Sequence, residues 1–335
     1  MRTKRYLAIG VASMAILAAL GSTGVAVAAP VTTTVVYDNF EAPGGYTLTN
    51  YNEKWANPFG LGEMSVKDTR SFDTGAFSLR AVPFKTGADF SVFDHLKYIG
   101  VSTSSFDVPA GGSLEFSADI SARTPGTQLS RTIHGTYVDS GQPYAANASQ
   151  GQQAGVVLNM VDFHSGQLFD WFIAGDTAFA LIERLPSTVT GSPSDPSSPD
   201  WVGRSKMYTQ IIREVKLAPG HTHHVAIRYD APTNTVRYFL DGVLFSKVAH
   251  VGKPLDVQHR RYTGTYPSLG AGEDLTGKIT SFSIGHGLFS LLDAFPFQHP
   301  DSPELNVSIP LSERLFGQGA QGTFDNISVT SRSAT

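Results

Sequence analysis

The 335-residue chain carries 25 basic and 29 acidic side chains, no cysteine, 33 glycines and 19 prolines. So even a charge balance gives no field for nucleic acid or an anionic membrane, and without thiols there is no disulfide framework, thiolate metal site or cysteine nucleophile. Stability must come from packing, and a chain of this length can bury one large core.

Arg2, Lys4 and Arg5 precede an apolar run from Leu7 to Leu20, and Ala26-Val27-Ala28 has the small-x-small form of a signal-peptidase site. Residues 1–28 therefore read as a secretory signal peptide, leaving 29–335 as a single exported domain with no membrane association after cleavage. An uncleaved anchor is disfavoured because the apolar core is short, is broken by Gly10 and Ser13, and ends in small residues.

Strand-like runs follow at Thr34 to Asp38, Phe77 to Val82, Ser113 to Ser121, Gly155 to Phe163, Gln167 to Ile173, Ala178 to Glu183 and Ile211 to Leu217. More appear at His223 to Tyr229, Thr235 to Leu240, Lys278 to Ile284 and Gly322 to Thr330, with little helical periodicity anywhere. Many short strands separated by turn signals predict an all-β sandwich of two antiparallel sheets with long loops. The densest signal is His223 to Lys247. There Val225, Ile227 and Tyr229 alternate with smaller or polar residues, Pro232 to Asn234 turn the chain, and Asp241-Gly242 turns it again.

Two segments read as long loops. The Ser- and Pro-rich run Pro186 to Asp200 is expected to be an exposed insertion, since strand signals continue on both sides. Leu288 to Leu315 contains four prolines, with one short helix predicted over Leu288 to Ala294.

The segments HHVAIRYD and VRYFLDG resemble the strand pair of laminin-G-like and concanavalin A-like domains, and GTFDNISVT at Gly322 to Thr330 resembles their closing strand. The resemblance implies a concanavalin A-like jelly roll whose concave sheet binds or cleaves saccharides. The entire mature chain also resembles a secreted actinobacterial and fungal family of unknown function, through FDHLKY at Phe93 to Tyr98, FDWF at Phe169 to Phe172 and SERLFGQGA at Ser312 to Ala320. Fold likeness does not assign chemistry, so the residues carry the rest.

If Ser165-Gly166 closes a tight hairpin, alternation places Met160, Asp162 and His164 on one face, opposite Gln167, Phe169 and Trp171. A carboxylate, an imidazole and an indole on one surface suit a sugar, whose C–H face stacks on aromatics while carboxylates accept from hydroxyls. The competing reading puts Trp171 and Phe169 in the core.

Glycoside hydrolysis needs two carboxyl groups flanking the scissile bond. The E-x-D-x-x-E arrangement of laminarinase-type relatives does not occur, which leaves pairs drawn from Asp162, Asp170 and Glu183, with Asp170 on the face opposite Asp162. His134 and His164 complete the candidate catalytic set. Polysaccharide lyase chemistry, suggested by Arg131, His134 and Tyr137 in RTIHGTY, ranks below hydrolysis because a straight strand separates His134 from the other two.

Candidate ligand-binding residues are Trp171, Asp94, His95, Arg131, His259, Tyr262 and His286. His259 and Tyr262 lie in VQHRRY, a polar loop suited to an acidic sugar. His221, His223 and His224 read as structural, and no metal site or cofactor is expected; a structural calcium held by loop oxygens would leave little sequence trace. The expected partner is a carbohydrate or polysaccharide. Glycan binding leads, hydrolysis or lyase chemistry follows, and a non-catalytic envelope or adhesion module is the third reading.

Overall fold

A computed structural model describes residues 31–57, 69–72, 75–86, 92–188, 196–261, 263, 268–294 and 302–333. The segment read as a signal peptide, residues 189–195 of the Ser/Pro-rich run and Tyr262 lie outside them.

In chain order the elements begin with β1 (Val31–Asp38), α1 (Leu48–Lys54), β2 (Trp55–Ala56), β3 (Thr69–Ser71), β4 (Phe77–Ala81), β5 (Leu96–Ser102), β6 (Phe106–Asp107) and β7 (Ser113–Arg123). There follow β8 (Arg131–Tyr137), β9 (Pro143–Ala148), α2 (Gln150–Gln153), β10 (Gly155–Asp162), β11 (Gln167–Ile173), β12 (Thr177–Arg184) and β13 (Tyr208–Lys216). The rest are β14 (Thr222–Asp230), β15 (Thr235–Leu240), β16 (Val243–Ala249), β17 (Ser281–Phe289), α3 (Leu291–Ala294), β18 (Val307–Ser308), α4 (Leu311–Arg314) and β19 (Ala320–Ser333).

These strands form two eight-stranded antiparallel sheets and a small third one. Sheet I runs β16-β15-β14-β7-β19-β4-β3, with β1 also paired to β19; sheet II runs β13-β12-β11-β10-β17-β5-β2, with β6 paired to β17. The order β18-β8-β9 makes the third. The all-β sandwich read from the sequence is the fold observed. The expected helix over Leu288 to Ala294 shortens to α3, because Leu288 and Phe289 continue β17.

Alternation on each strand builds the core between the sheets. Phe116, Ala118 and Ile120 of β7 and Val225, Ile227 and Tyr229 of β14 meet Leu158, Met160, Phe169 and Trp171 of sheet II. Hydrogen bonds also cross the gap, among them Trp171 Nε1 donating to Ala226 O at 3.0 Å, Tyr238 Oη to Leu181 O at 2.6 Å and Arg213 Nη1 to Phe245 O at 2.9 Å. The sheets approach so closely at Gly322 that a Cβ there would lie 2.6 Å from Val156 Cγ1.

Sheet II is buried on its other face as well. Val157, Phe172, Phe179, Leu181, Ile211 and Phe289 form a second apolar cluster there, and α2 lies on it, with a Cβ at Gly151 meeting the Phe179 ring at 2.5 Å. Every residue of β10 and β12 is consequently buried. A strand covered on both sides reads as a continuous apolar run, as GVVLNMVD does.

Candidate functional site

The outer face of sheet II carries a row of polar side chains across four strands. Asn159 of β10 stands directly opposite Asp170 of β11, Asp170 opposite Leu181 of β12, Leu168 opposite Glu183, and Glu183 opposite Thr209 of β13. Asp170 and Glu183 are thus diagonal neighbours on one face, a relation that places Cα atoms about 7–8 Å apart. Asn159 Nδ2 donates to Asp170 Oδ1 at 2.6 Å, and Thr209 Oγ1 donates to Glu183 Oε1 at 2.5 Å. Asn159 is fully buried, Asp170 is 2% exposed and Glu183 9%, while Thr209 is half-buried. The row therefore climbs from the interior to the rim.

Burial decides the protonation of this pair. Asp170 is held far above the ordinary carboxyl range by desolvation, reinforced by the charge of Glu183 and opposed by the Asn159 amide. Desolvation pushes Glu183 up to about 7, against the Thr209 hydroxyl. Two carboxyl groups on one face are thus both raised by burial but in different surroundings, an arrangement that can divide acid and base roles between them.

The other candidates fall elsewhere. Asp162 faces the opposite way from Glu183 and closes the hairpin loop, accepting from His164 N at 3.0 Å and Ser165 Oγ at 2.5 Å. The hairpin loop spans residues 163–166 instead of the two-residue Ser165-Gly166 turn expected, so Asp162 stands opposite Gln167, Met160 opposite Phe169 and Leu158 opposite Trp171. This two-residue shift keeps the expected residues on one face, but that shared face is the inter-sheet core. Trp171 is fully buried there against Phe245 and Tyr238. The acid-imidazole-indole surface expected from alternation is therefore not formed, and Asp162 and Glu183 do not converge. His164 is exposed at the turn.

Arg131 and His134 belong to the small sheet. Arg131 lies 3.7 Å over the Phe316 ring and 3.7 Å from Glu313, and His134 Nδ1 lies 3.6 Å from the same carboxylate. Asp94 is buried beside Arg314 at 3.5 Å; Arg314 also pairs with Asp293 at 2.8 Å, and Asp293 with Lys97. Two of the segments that carried the family resemblance, FDHLKY and SERLFGQGA, thus meet in one buried ionic network. His95 packs edge-on against Phe289, and His259 is exposed in the loop after β16 with φ 57°.

His286 sits between the sheets. Its Nε2 is 2.9 Å from Tyr51 Oη, which accepts from Tyr98 Oη at 2.9 Å, and its ring centroid is 4.3 Å from Trp55 and 4.9 Å from Phe324. Desolvation in this aromatic cage lowers its pKa to about 3, so the ring is neutral. His223 and His224 bind Asp241 and Asp119 through Nδ1 at 2.9 and 2.7 Å. Among the described residues, no group of three or more His, Asp or Glu is arranged to hold a metal ion.

The Asp170–Glu183 row and the shared network over β5 lie within one family's sequence. The chain belongs to a family of unknown function, DUF6081, whose match spans residues 60–333. No curated protein matches the chain. Among solved structures it is similar to an endo-1,3-beta-glucanase from Streptomyces sioyaensis, at 13% identity and TM-score 0.42, covering 92% of this chain and 97% of that one. It is similar also to beta-agarase B from Zobellia galactanivorans, at 11% identity and TM-score 0.45, with 91% and 95% covered. A third likeness is to the carbohydrate-binding module CBM66 from Bacillus subtilis, at 10% identity and TM-score 0.27, with 70% and 80% covered. None of these likenesses transfers a residue's role.

Sequence reasoning weighed Asp170 but did not place it in the site. The signal was present: Asp170 and Glu183 are thirteen positions apart across one hairpin, and once its register is known, both fall on the same face.

Proposed function

We propose that this protein is an exported, carbohydrate-active sandwich that hydrolyses a glycosidic bond at the β13 edge of sheet II, where the polar row is least covered, with Asp170 as acid and Glu183 as base or nucleophile. The observation that carries the reading is the pair itself: two carboxyl groups on one face of adjacent strands, Asp170 raised well above the ordinary carboxyl range by burial and Glu183 raised to about 7. Glycoside hydrolysis calls for that combination, a protonated carboxyl for the leaving oxygen and an ionised one for the sugar carbon or for water. Asn159 positions the acid, and Thr209 holds the base by donating to one oxygen, leaving the other for substrate. The burial of Trp171 supports hydrolysis over stacking-driven binding, because the indole expected to carry a sugar faces the core.

A second reading, glycan retention without cleavage, is favoured by the exposure gradient. Glu183 and Thr209 reach the rim while Asp170 lies beneath it, so a sugar hydroxyl meets the acceptor before the acid.

A polysaccharide-degradation screen run beside a glycan array, with wild type, Asp170→Asn and Glu183→Gln, tests both. Hydrolysis is upheld by release of reducing ends that falls about 100-fold or more in each variant, the loss expected for removing a general acid or base. Binding without cleavage selects the second reading. Neither cleavage nor binding by wild type rejects both.

A further inference from the structure

A cleft of about 480 Å³ opens at the other end of the sandwich, lined by Arg123, Thr124, Gln150, Asp176, Pro219 and Gly220 among others. It draws on both sheets. Arg123 ends β7 and is the register partner of Gln321 on β19, Asp176 lies in the β11–β12 turn, Gln150 opens α2, and Gly220 lies between β13 and β14. Six residues of β12 separate Asp176 from Glu183's end of the strand, a span of about 20 Å.

The cleft is built from fixed polar groups. Gln150 Nε2 donates to Thr127 Oγ1 at 3.1 Å, Thr127 Oγ1 to Thr124 O at 2.8 Å, and Gly175 N to Thr124 Oγ1 at 2.9 Å. Lys216 Nζ reaches Asp176 Oδ2 at 3.3 Å. These bonds orient Gln150 and Asp176 and leave one oxygen of each, Gln150 Oε1 and Asp176 Oδ1, buried without a hydrogen-bond partner among the described residues. Buried acceptors in that state are costly, and a ligand donor that reaches them gains what water-exposed acceptors do not offer. Gly220, at φ +73°, places its Cβ position 3.2 Å from Arg123 Nη2. A side chain there would crowd the guanidinium, so the glycine lets Arg123 lie along the cleft wall.

The geometry points to a second saccharide-binding site, for a neutral sugar, in this cleft. Acceptors on Gln150 and Asp176 and a guanidinium lining one cleft suit a ligand that both donates and accepts, as the hydroxyls of a pyranose do. A free cation meets Arg123, and a free anion meets Asp176, so net charge in the ligand is disfavoured from both sides. Pro125 and Pro219 supply the apolar surface for the sugar's C–H groups. The inference uses neither Asp170 nor Glu183 and stands apart from cleavage at that pair.

Saturation-transfer NMR and calorimetric titration with glucose, galactose, mannose, xylose and N-acetylglucosamine as probes test it. At least one probe should bind wild type and bind Gln150→Ala and Asp176→Asn tenfold or more weakly while their melting temperatures hold. Should either of those variants fail to fold, Arg123→Ala, an exposed residue, provides the same comparison. Absence of binding to wild type, or binding untouched by the cleft variants, overturns the site.

Discussion

Glu183 stands diagonally across the strand pair from Asp170, on the same outward face of sheet II, and its charge adds to burial in keeping Asp170 protonated. The pair is therefore a strained electrostatic feature of the fold. A folded protein that keeps two carboxyl groups protonated above their ordinary range gives up stability as pH rises, and this trade is common where a site serves chemistry.

The pH dependence has a definite sign. Glu183 titrates at about 7 in the folded chain against an ordinary 4.5, so between those values the folded state binds more protons than the unfolded one and stability falls as pH rises. The gap corresponds to about 3 kcal/mol at full ionisation. Urea denaturation at about pH 5 and about pH 8 should show wild type losing stability at the higher pH, with the slope flattened in Glu183→Gln. An equal slope in both proteins would remove Glu183 as its source.

His286 acts in the opposite direction. Its folded pKa near 3 lies below the ordinary 6.5, so the unfolded chain takes up a proton that the folded chain refuses, and stability falls as pH drops below about 6.5. Of the ten histidines, one should show ring resonances that do not move between about pH 4 and pH 8 by NMR, and His286→Phe should delete those resonances.

Lys97, Asp293, Arg314 and Asp94 hold α3 and α4 against β5 through a fully buried network. Removing one cation leaves a buried carboxylate without its partner, at a cost of about 3–5 kcal/mol. Arg314→Met should lower the urea midpoint accordingly. A change within about 0.5 kcal/mol, typical of a surface substitution, would mean that water reaches the network.

Trp171 separates packing from ligand contact. Its indole fills the inter-sheet core and bonds Ala226 O, so Trp171→Ala should cost about 3–5 kcal/mol. Under conditions where the variant remains folded, saccharide affinity should be unchanged. A selective loss of affinity at intact stability would return Trp171 to the binding surface.

Local chemistry alone determined several of these elements. The Pro232 to Asn234 and Asp241-Gly242 turns, with positive φ at Asn234, Asp241 and Gly242, set the β14-β15-β16 meander, since turn residues and period-2 alternation are properties of a few neighbouring positions. The β10–β11 hairpin is less local: its loop is four residues and not the two of a Ser165-Gly166 turn, which shifts Asp162 to face Gln167 while leaving the shared face unchanged.

The face that each strand turns to the core was decided only in three dimensions. Both faces of sheet II are buried, so GVVLNMVD and TAFALIER carry no inside-outside contrast. Alternation grouped Asp162 with Trp171 and set Asp170 apart, yet only packing against sheet I showed that the first group is core and that Asp170 shares the other face with Glu183. Likewise the contact of Asp94 with Arg314, 220 positions away, depends on chain closure across the whole sandwich. Sequence by itself thus determined strands, several turns and the alternation along each strand, which are short-range; tertiary structure decided which acids meet, because that depends on where distant strands stack.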